Sequence, residues 1–345
     1  MTLALDATYS LGENLSGVGV YSRRILFGLA RAHPEARFLF SYRPHRFFRS
    51  LRERLPVNCT RRLLIEARAP RAELFHGLNQ RLPRAGPRRT VATFHDLFVL
   101  SGDYSTPEFR RRFAGQARDA ANRSDLVIAV SEFTARQVHD LLGVSADRVR
   151  VIPHGASTRR AHTNEAPPAR EKLILHVGAI QRRKNLVRLI EAFERTDPGW
   201  RLALAGSFGF GSEEILHRIE CSPRRQDVQV LGYVSQTQLE DLYARAAVFA
   251  FPSLDEGFGM PILDAMAAGV PVLTSNRSAA AEVSGDAALL VAPENTGSIV
   301  EALHRLTTEE TLREEFVVRG LERAALFTWE KAVEATWAAY GELLR

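Results

Sequence analysis

Short apolar runs alternate along the whole chain with longer stretches in which apolar residues recur at helical spacing. In the first half the strand-like runs include residues 3–5, 37–42, 90–93 and 126–130; in the second they are 173–177, 202–205, 228–230, 247–251 and 271–274. Strands separated by helices predict parallel α/β sheets. Polar residues collect directly behind the strands. His95-Asp96 follows the run at 90–93, Gly178 to Asn185 the run at 173–177, Gly206-Ser207 the run at 202–205, and Ser275-Asn276 the run at 271–274. In open α/β sheets ligands sit outside the carboxyl ends of the strands, so these loops are expected to converge. A polar stretch from Arg159 to Arg170 with Pro167-Pro168 is the best linker candidate, and it divides the chain into two such domains.

The most informative segment is Leu254-Asp255-Glu256-Gly257-Phe258-Gly259-Met260-Pro261-Ile262-Leu263-Asp264. It lies between the buried-strand pattern at 247–251, closed by Pro252, and a helix expected to carry Pro261 in its first turn and to run until Gly269. Backbone N–H groups at such a helix start lack partners, and the helix dipole favours an anion there. Glu256 and Asp264 flank this point, and carboxylates accept paired hydrogen bonds from vicinal hydroxyls. The outline is that of a nucleotide-sugar site. Capping and dipole effects are the alternative explanation for the acids.

Lys184 stands at the end of Gly178-Ala179-Ile180-Gln181-Arg182-Arg183-Lys184-Asn185, before a helical pattern over 186–193. A cation at a helix entrance is electrostatically unfavourable unless an anion shares the site. Arg183 and Lys184 therefore read either as a diphosphate clamp that stabilises a leaving nucleotide or as a solvated basic turn. Ser16-Gly17-Val18-Gly19-Val20-Tyr21 precedes another helical pattern; glycines there let backbone approach phosphate, and an ordinary turn is the competing reading. His95 is a candidate sugar or phosphate contact, or a structural histidine.

Length and charge refine this picture. A chain of 345 residues with 45% hydrophobic and 25% charged content suits a two-domain soluble protein. No apolar run is long enough to span a bilayer, and the N-terminal residues have no basic lead of a secretory signal. Cys59 and Cys221 follow no metal or redox spacing, which fits a reducing cytoplasm. The net charge of +6 hides a division: residues 1–160 carry +13 and residues 161–345 carry −7. A basic first half suits an anionic acceptor, a membrane surface or nucleic acid. From Arg43 to Leu55, Phe48, Leu51 and Leu55 recur at helical spacing among five arginines, with Phe47 beside them. That pattern predicts a basic amphipathic helix, for an anionic membrane surface or for packing on the core. There is no Asp-x-Asp, no His/Cys cluster with metal spacing and no P-loop sequence, so a leaving diphosphate would rely on Lys, Arg and helix N-termini with no metal.

Together these segments resemble glycosyltransferase family 4, the retaining GT-B enzymes. The resemblance runs through Ser16 to Tyr21, Thr93-Phe94-His95-Asp96, Val130-Ser131-Glu132-Phe133-Thr134 and Val151-Ile152-Pro153-His154-Gly155. It continues through Val177 to Asn185, Phe251-Pro252-Ser253, Glu256 to Met266, and Thr328-Trp329-Glu330. It implies two Rossmann-like domains facing across a cleft: an acceptor domain at 1–160, a donor domain at 161–326, and a last helix within 327–345 that crosses back to the first. By position, Arg183 and Lys184 would hold the donor diphosphate, Glu256 the transferred sugar and Asp264 the ribose hydroxyls. His95 would line the reaction centre, making His95, Glu256 and Lys184 the catalytic set. Gly17, Gly19, Gly178, Gly206, Gly257, Phe258, Gly259 and Met260 complete the expected nucleotide-sugar site. Two departures stand out: the family usually has Glu where this chain has Asp264, and Arg where it has Ala179.

The expected activity is transfer of a hexose from a nucleotide-diphosphate sugar to a glycan or lipid-linked acceptor at the inner face of a membrane, with retention and without a cofactor. The Gln181–Asn185 and His95-Asp96 segments look like mannosyl-transferring members, which suggests GDP-mannose; UDP- and ADP-sugars are the other donors. A GT-B epimerase or phosphorylase is the enzymatic alternative. A basic nucleic-acid-binding protein is the non-enzymatic one, and it leaves the acidic, Gly-rich loop without purpose.

Overall fold

A computed structural model describes residues 1–12, 14–67, 70–85, 87–156 and 170–344. The chain divides into two compact units, one of residues 1–101, 107–155 and 328–345, the other of residues 102–106 and 156–327. The linker candidate from Arg159 to Arg170 lies, except for Arg170, outside the described residues.

The first unit is built from β1 (Thr2–Asp6), α1 (Gly17–Ala32), β2 (Arg37–Tyr42), α2 (Pro44–Ser50), β3 (Cys59–Leu63), β4 (Leu74–Gly77) and β5 (Arg89–Phe94). It continues with α3 (Phe98–Ser101), α4 (Pro107–Arg123), β6 (Leu126–Ala129), α5 (Glu132–Leu142) and β7 (Val149–Val151). All neighbouring strands are parallel, in the order β3-β2-β1-β4-β5-β6-β7. Central strands are buried along nearly their whole length, as a sheet covered on both faces requires.

The second unit holds β8 (Glu171–Val177), α6 (Leu186–Phe193), β9 (Arg201–Ala205), α7 (Ser212–Glu220), β10 (Val228–Gly232), α8 (Gln236–Arg245) and β11 (Ala246–Phe251). After these come α9 (Met260–Ala267), β12 (Val272–Ser275), α10 (Ser278–Ser284), β13 (Leu289–Val291), α11 (Thr296–Thr308) and α12 (Glu310–Ala325). Its parallel sheet runs β10-β9-β8-β11-β12-β13, the doubly wound Rossmann order. Ile174, Leu202, Val248, Leu189 and Leu303 meet in its core.

The last helix, α13 (Trp329–Leu344), belongs to the first unit and lies against α1. Gly28 permits this approach, since a Cβ there would come 2.4 Å from Val333 Cγ2. Trp337 stacks on His33 with ring centroids 3.6 Å apart. Two sequence expectations are corrected. Gly17 and Gly19 do not precede a helix but form the first turn of α1, capped by the Ser16 hydroxyl, which accepts from Gly19 N–H. The basic helix expected from Arg43 to Leu55 ends at Ser50, whose carbonyl accepts from Arg61 Nε at 2.8 Å. Among the described residues no helix is long and apolar enough to cross a membrane.

Candidate active site

The order of the second sheet reverses between β8 and β11, so the loops leaving these neighbours lie side by side. The first loop carries Arg183 and Lys184 in a short 3-10 turn, and Asn185 ends it in the left-handed region at φ 59°. Asn185 Nδ2 donates to the Pro252 carbonyl at 3.0 Å and the Pro293 carbonyl at 2.6 Å. Leu254 N–H donates to the Arg183 carbonyl at 2.9 Å, completing the latch between the loops.

On this frame two cations converge on one buried acid. Lys184 Nζ lies 2.5 Å from Glu256 Oε1, and an Arg183 guanidinium nitrogen lies 2.8 Å from Glu256 Oε2. All three side chains are less than a tenth exposed. Arg183 also donates to the Asp255 carbonyl, and the Lys184 ammonium sits 4.4 Å from the centroid of the Phe251 ring. Burial would raise the Glu256 carboxyl, but Arg183 and Lys184 outweigh it and hold the group down at about 2. A depressed acid contributes stability above its ordinary pKa, and that contribution is lost as pH falls through the folded value. The Tm of the wild-type protein should therefore fall as pH drops from about 4.5 toward about 2. Removing this ionisation with Glu256→Gln should flatten that part of the profile, and identical profiles would refute the assignment.

Glycines let the loops beside this group pack closely. Gly178 N–H donates to the Ala205 carbonyl at 2.9 Å and Gly206 N–H to the Gly232 carbonyl at 2.7 Å. A Cβ on Gly206 would lie 1.9 Å from the Gly178 carbonyl oxygen. Gly259, at φ 101°, precedes the first residue of α9, Met260, with Pro261 next. Glu256 N–H donates to Ser278 Oγ at 3.2 Å, and the ring of Phe258 packs edge-on against Phe327 at 6.1 Å. Gly257 continues the turn between them. Asp264 is half-buried on α9. Burial first, then the Asp264 charge, pushes the Tyr243 phenol well up. Tyr104, in the segment that groups with this unit, has its phenol raised by burial first and then by Asp255, with Arg183 opposing. Tyr104 carries no local motif, and the sequence reading passed over it.

His95 belongs to the first unit, directly behind β5. Its Nε2–H donates to the Leu78 carbonyl at 2.9 Å, which leaves Nδ1 as the acceptor of a neutral ring. Burial lowers its pKa to about 4, partly offset by the Leu78 bond, and burial holds His76 down at about 3. His95 stacks on His154 at 5.4 Å and meets Tyr21 edge-on at 4.7 Å. Tyr340 and Thr93 hydrogen-bond the two nitrogens of His76, at 2.6 and 2.8 Å, and Thr93 bonds the Tyr21 hydroxyl at 3.0 Å. His76 and Tyr340 were not singled out from the sequence, because 264 residues separate them. Gly19 is buried beneath this region, its Cβ position 2.9 Å from the Tyr9 carbonyl oxygen, while Gly17 is exposed.

Arg43 departs from the reading of a basic surface helix. It is 5% exposed, 3.5 Å from Asp6 and ion-paired with Glu66. Phe48 and Leu51 do reach solvent, at 79% and 57% exposure.

Comparison with known proteins resolves the class. The glycosyl transferases group 1 family matches residues 157–323, and the Glycosyltransferase Family 4 description matches residues 8–160. The O-antigen chain mannosyltransferase B of Escherichia coli is 31% identical over 281 residues, covering 77% of this chain and 74% of that relative. The chain belongs to glycosyltransferase family 4. Sucrose-phosphate synthase from Thermosynechococcus elongatus shares the fold of this family 4 protein with a TM-score of 0.78 and 21% identity, covering 99% of this chain and 98% of the other. HepE of Anabaena, solved with UDP and glucose, does so with a TM-score of 0.73 and 19% identity over 99% of both chains. The fold is GT-B and the protein is a hexosyltransferase, so the non-enzymatic reading falls away.

Proposed function

We propose that this family 4 enzyme transfers mannose from GDP-mannose to a glycan or lipid-linked acceptor with retention, the donor held by residues 161–326 and the acceptor by 1–160, with the 327–345 segment completing the latter. The observation that carries the reading is the buried group of Arg183, Lys184 and Glu256. Two cations at the carboxyl end of a Rossmann sheet suit a diphosphate, and their present partner is a carboxylate able to receive sugar hydroxyls instead. When the donor binds, Arg183 and Lys184 move their hydrogen bonds from Glu256 to the phosphates, and Glu256 turns to the hexose. Gly257, Phe258, Gly259 and Met260, at the start of α9, would meet the same anion, with Gly178 beside Lys184 and Gly206 admitting the Gly178 backbone. The bond from the anomeric carbon to the phosphate oxygen then breaks as the acceptor oxygen bonds that carbon. The acceptor proton passes to the leaving phosphate oxygen, whose charge Lys184 and Arg183 stabilise. His95, neutral and with Nδ1 as acceptor, lines the acceptor side. Similarity to an O-antigen mannosyltransferase supports the choice of sugar.

The test is incubation with GDP-, UDP- and ADP-sugars in the presence and absence of lipid-linked mannosyl acceptors. Nucleotide release from GDP-mannose that requires acceptor supports transfer. Acceptor-independent epimerisation, or preference for another donor, overturns this reading. Asp264 should hold the ribose, so Asp264→Ala should cost about tenfold in affinity for GDP but far less for the 2′,3′-dideoxynucleotide. Equal losses by calorimetry would remove that role.

The exposed Phe48, Leu51 and Val57, interleaved with Arg49, Arg52 and Arg54, support seating of the first unit on an anionic membrane at the cytoplasmic face. Phe48→Ser/Leu51→Ser should reduce co-sedimentation with phosphatidylglycerol vesicles severalfold. Unchanged co-sedimentation would refute it.

A further inference from the structure

His176, in β8 and outside the residues assigned so far, is completely buried. Its Nδ1–H donates to the Ala250 carbonyl at 2.9 Å, which fixes the tautomer and leaves Nε2 as a bare acceptor. Nε2 is shielded from solvent and makes no hydrogen bond among the described residues. Such an orphan acceptor is costly unless a donor reaches it at another stage. The donor at hand is Lys184. The point where a Cβ would stand on Gly178 is 3.5 Å from His176 Nε2, 3.6 Å from Lys184 Nζ and 3.2 Å from Lys184 Cε. Gly178 thus leaves open the space that the imidazole acceptor and the ammonium share. Both groups also use one aromatic platform: the His176 ring stacks on Phe251 at 5.4 Å with 16° between planes, beside the ammonium at 4.4 Å.

We propose that His176 is a positioning residue for Lys184, its Nε2 accepting an ammonium N–H when Glu256 releases Lys184 to the donor diphosphate. An ammonium has three N–H donors, and a diphosphate oxygen cannot take them all in one direction. With Glu256 withdrawn, the Nε2 lone pair holds the ammonium over Phe251 and aims its remaining N–H bonds at the phosphates. Burial, with the Lys184 charge second, keeps the ring neutral down to about pH 4, so it accepts without repelling the cation. The inference rests on the assignment of Lys184 to the diphosphate.

The test uses the full-length protein, with GDP and guanosine as calorimetric probes and GDP-mannose as substrate. An asparagine at 176 can keep the bond to Ala250 but supplies nothing at the Nε2 position; a glutamine can supply an acceptor there. His176→Asn should weaken GDP binding about tenfold and leave guanosine binding unchanged, and His176→Gln should recover most of the loss. In a double-mutant cycle, Lys184→Met/His176→Asn should bind GDP no more weakly than Lys184→Met alone, since the histidine acts through the lysine. If Lys184→Met weakens GDP while His176→Asn does not, or if the losses add, the role of His176 is overturned and the diphosphate clamp survives. If Lys184→Met binds GDP like wild type, or wild type fails to bind it, the clamp for this donor falls and the inference with it. Circular dichroism melts of each variant check that the binding losses come from folded protein.

Discussion

Replacing Glu256 by glutamine should lower kcat by about 10²–10³-fold and destabilise the protein at the same time. The activity loss follows from removing the carboxylate proposed to receive the hexose. The stability loss follows from geometry: Arg183 and Lys184 are nearly buried, and Glu256 is the acid that both contact. Breaking a buried pair from one side typically costs about 3–5 kcal/mol, because the remaining charge is left in low dielectric. For a unit of this size that corresponds to a Tm decrease on the order of 10 °C. A nucleoside diphosphate would return negative charge to the same two cations, so GDP should raise the Tm of the variant by more than it raises that of wild type. Wild-type turnover in Glu256→Gln would remove Glu256 from the site. A smaller thermal response to GDP in the variant would refute the exchange of partners. The structure thus couples the activity loss to a stability cost that GDP offsets.

Gly206→Ala should be the most damaging single methyl addition near the site. The new Cβ would lie 1.9 Å from the Gly178 carbonyl oxygen and 2.5 Å from its carbonyl carbon, both backbone atoms in a hydrogen-bonded loop. Neither can move without displacing the loop that carries Lys184, so we expect a loss of about 3–5 kcal/mol and of GDP binding. Gly115, in α4, supplies the control, since a Cβ there meets nothing within 4 Å. Gly115→Ala should be neutral or stabilising by up to about 1 kcal/mol, as expected for glycine in a helix interior. Urea denaturation of both variants checks the pair, and a Gly206→Ala protein within 1 kcal/mol of wild type would show that the close approach is not required.

Legibility from sequence followed burial. The runs at 173–177, 202–205 and 247–251 read as strands because central parallel strands are buried on both faces and leave continuous apolar runs. β3, with Cys-Thr-Arg-Arg-Leu, is an edge strand and half in solvent, so nothing in its composition marks it. β4 is fully buried yet contains His76, whose suitability comes from Tyr340 and Thr93 as partners, and Gly77, where a Cβ would lie 2.3 Å from the Arg81 carbonyl oxygen. The helical spacing of Phe48, Leu51 and Leu55 was real as a pattern, but backbone carbonyls at Ser50 and Glu53 bind Arg61 of β3 and the helix stops. Arg43 reads as surface charge in the sequence, but in the fold Asp6 and Glu66 lie beside it.

The sequence by itself determined the fold class and the family, and it named the candidate residues of the site, because local apolar periodicity and short loop motifs are written in consecutive residues. It also posed a question: Lys184 at a helix entrance needs an anion. Which anion answers it was decided only by tertiary structure. Glu256 lies 72 positions away, and the reversal of strand order between β8 and β11 brings the two loops together. His176 acquires its acceptor role in the same way, since the bond to Ala250 that strips Nε2 of its proton exists only when those two strands pair.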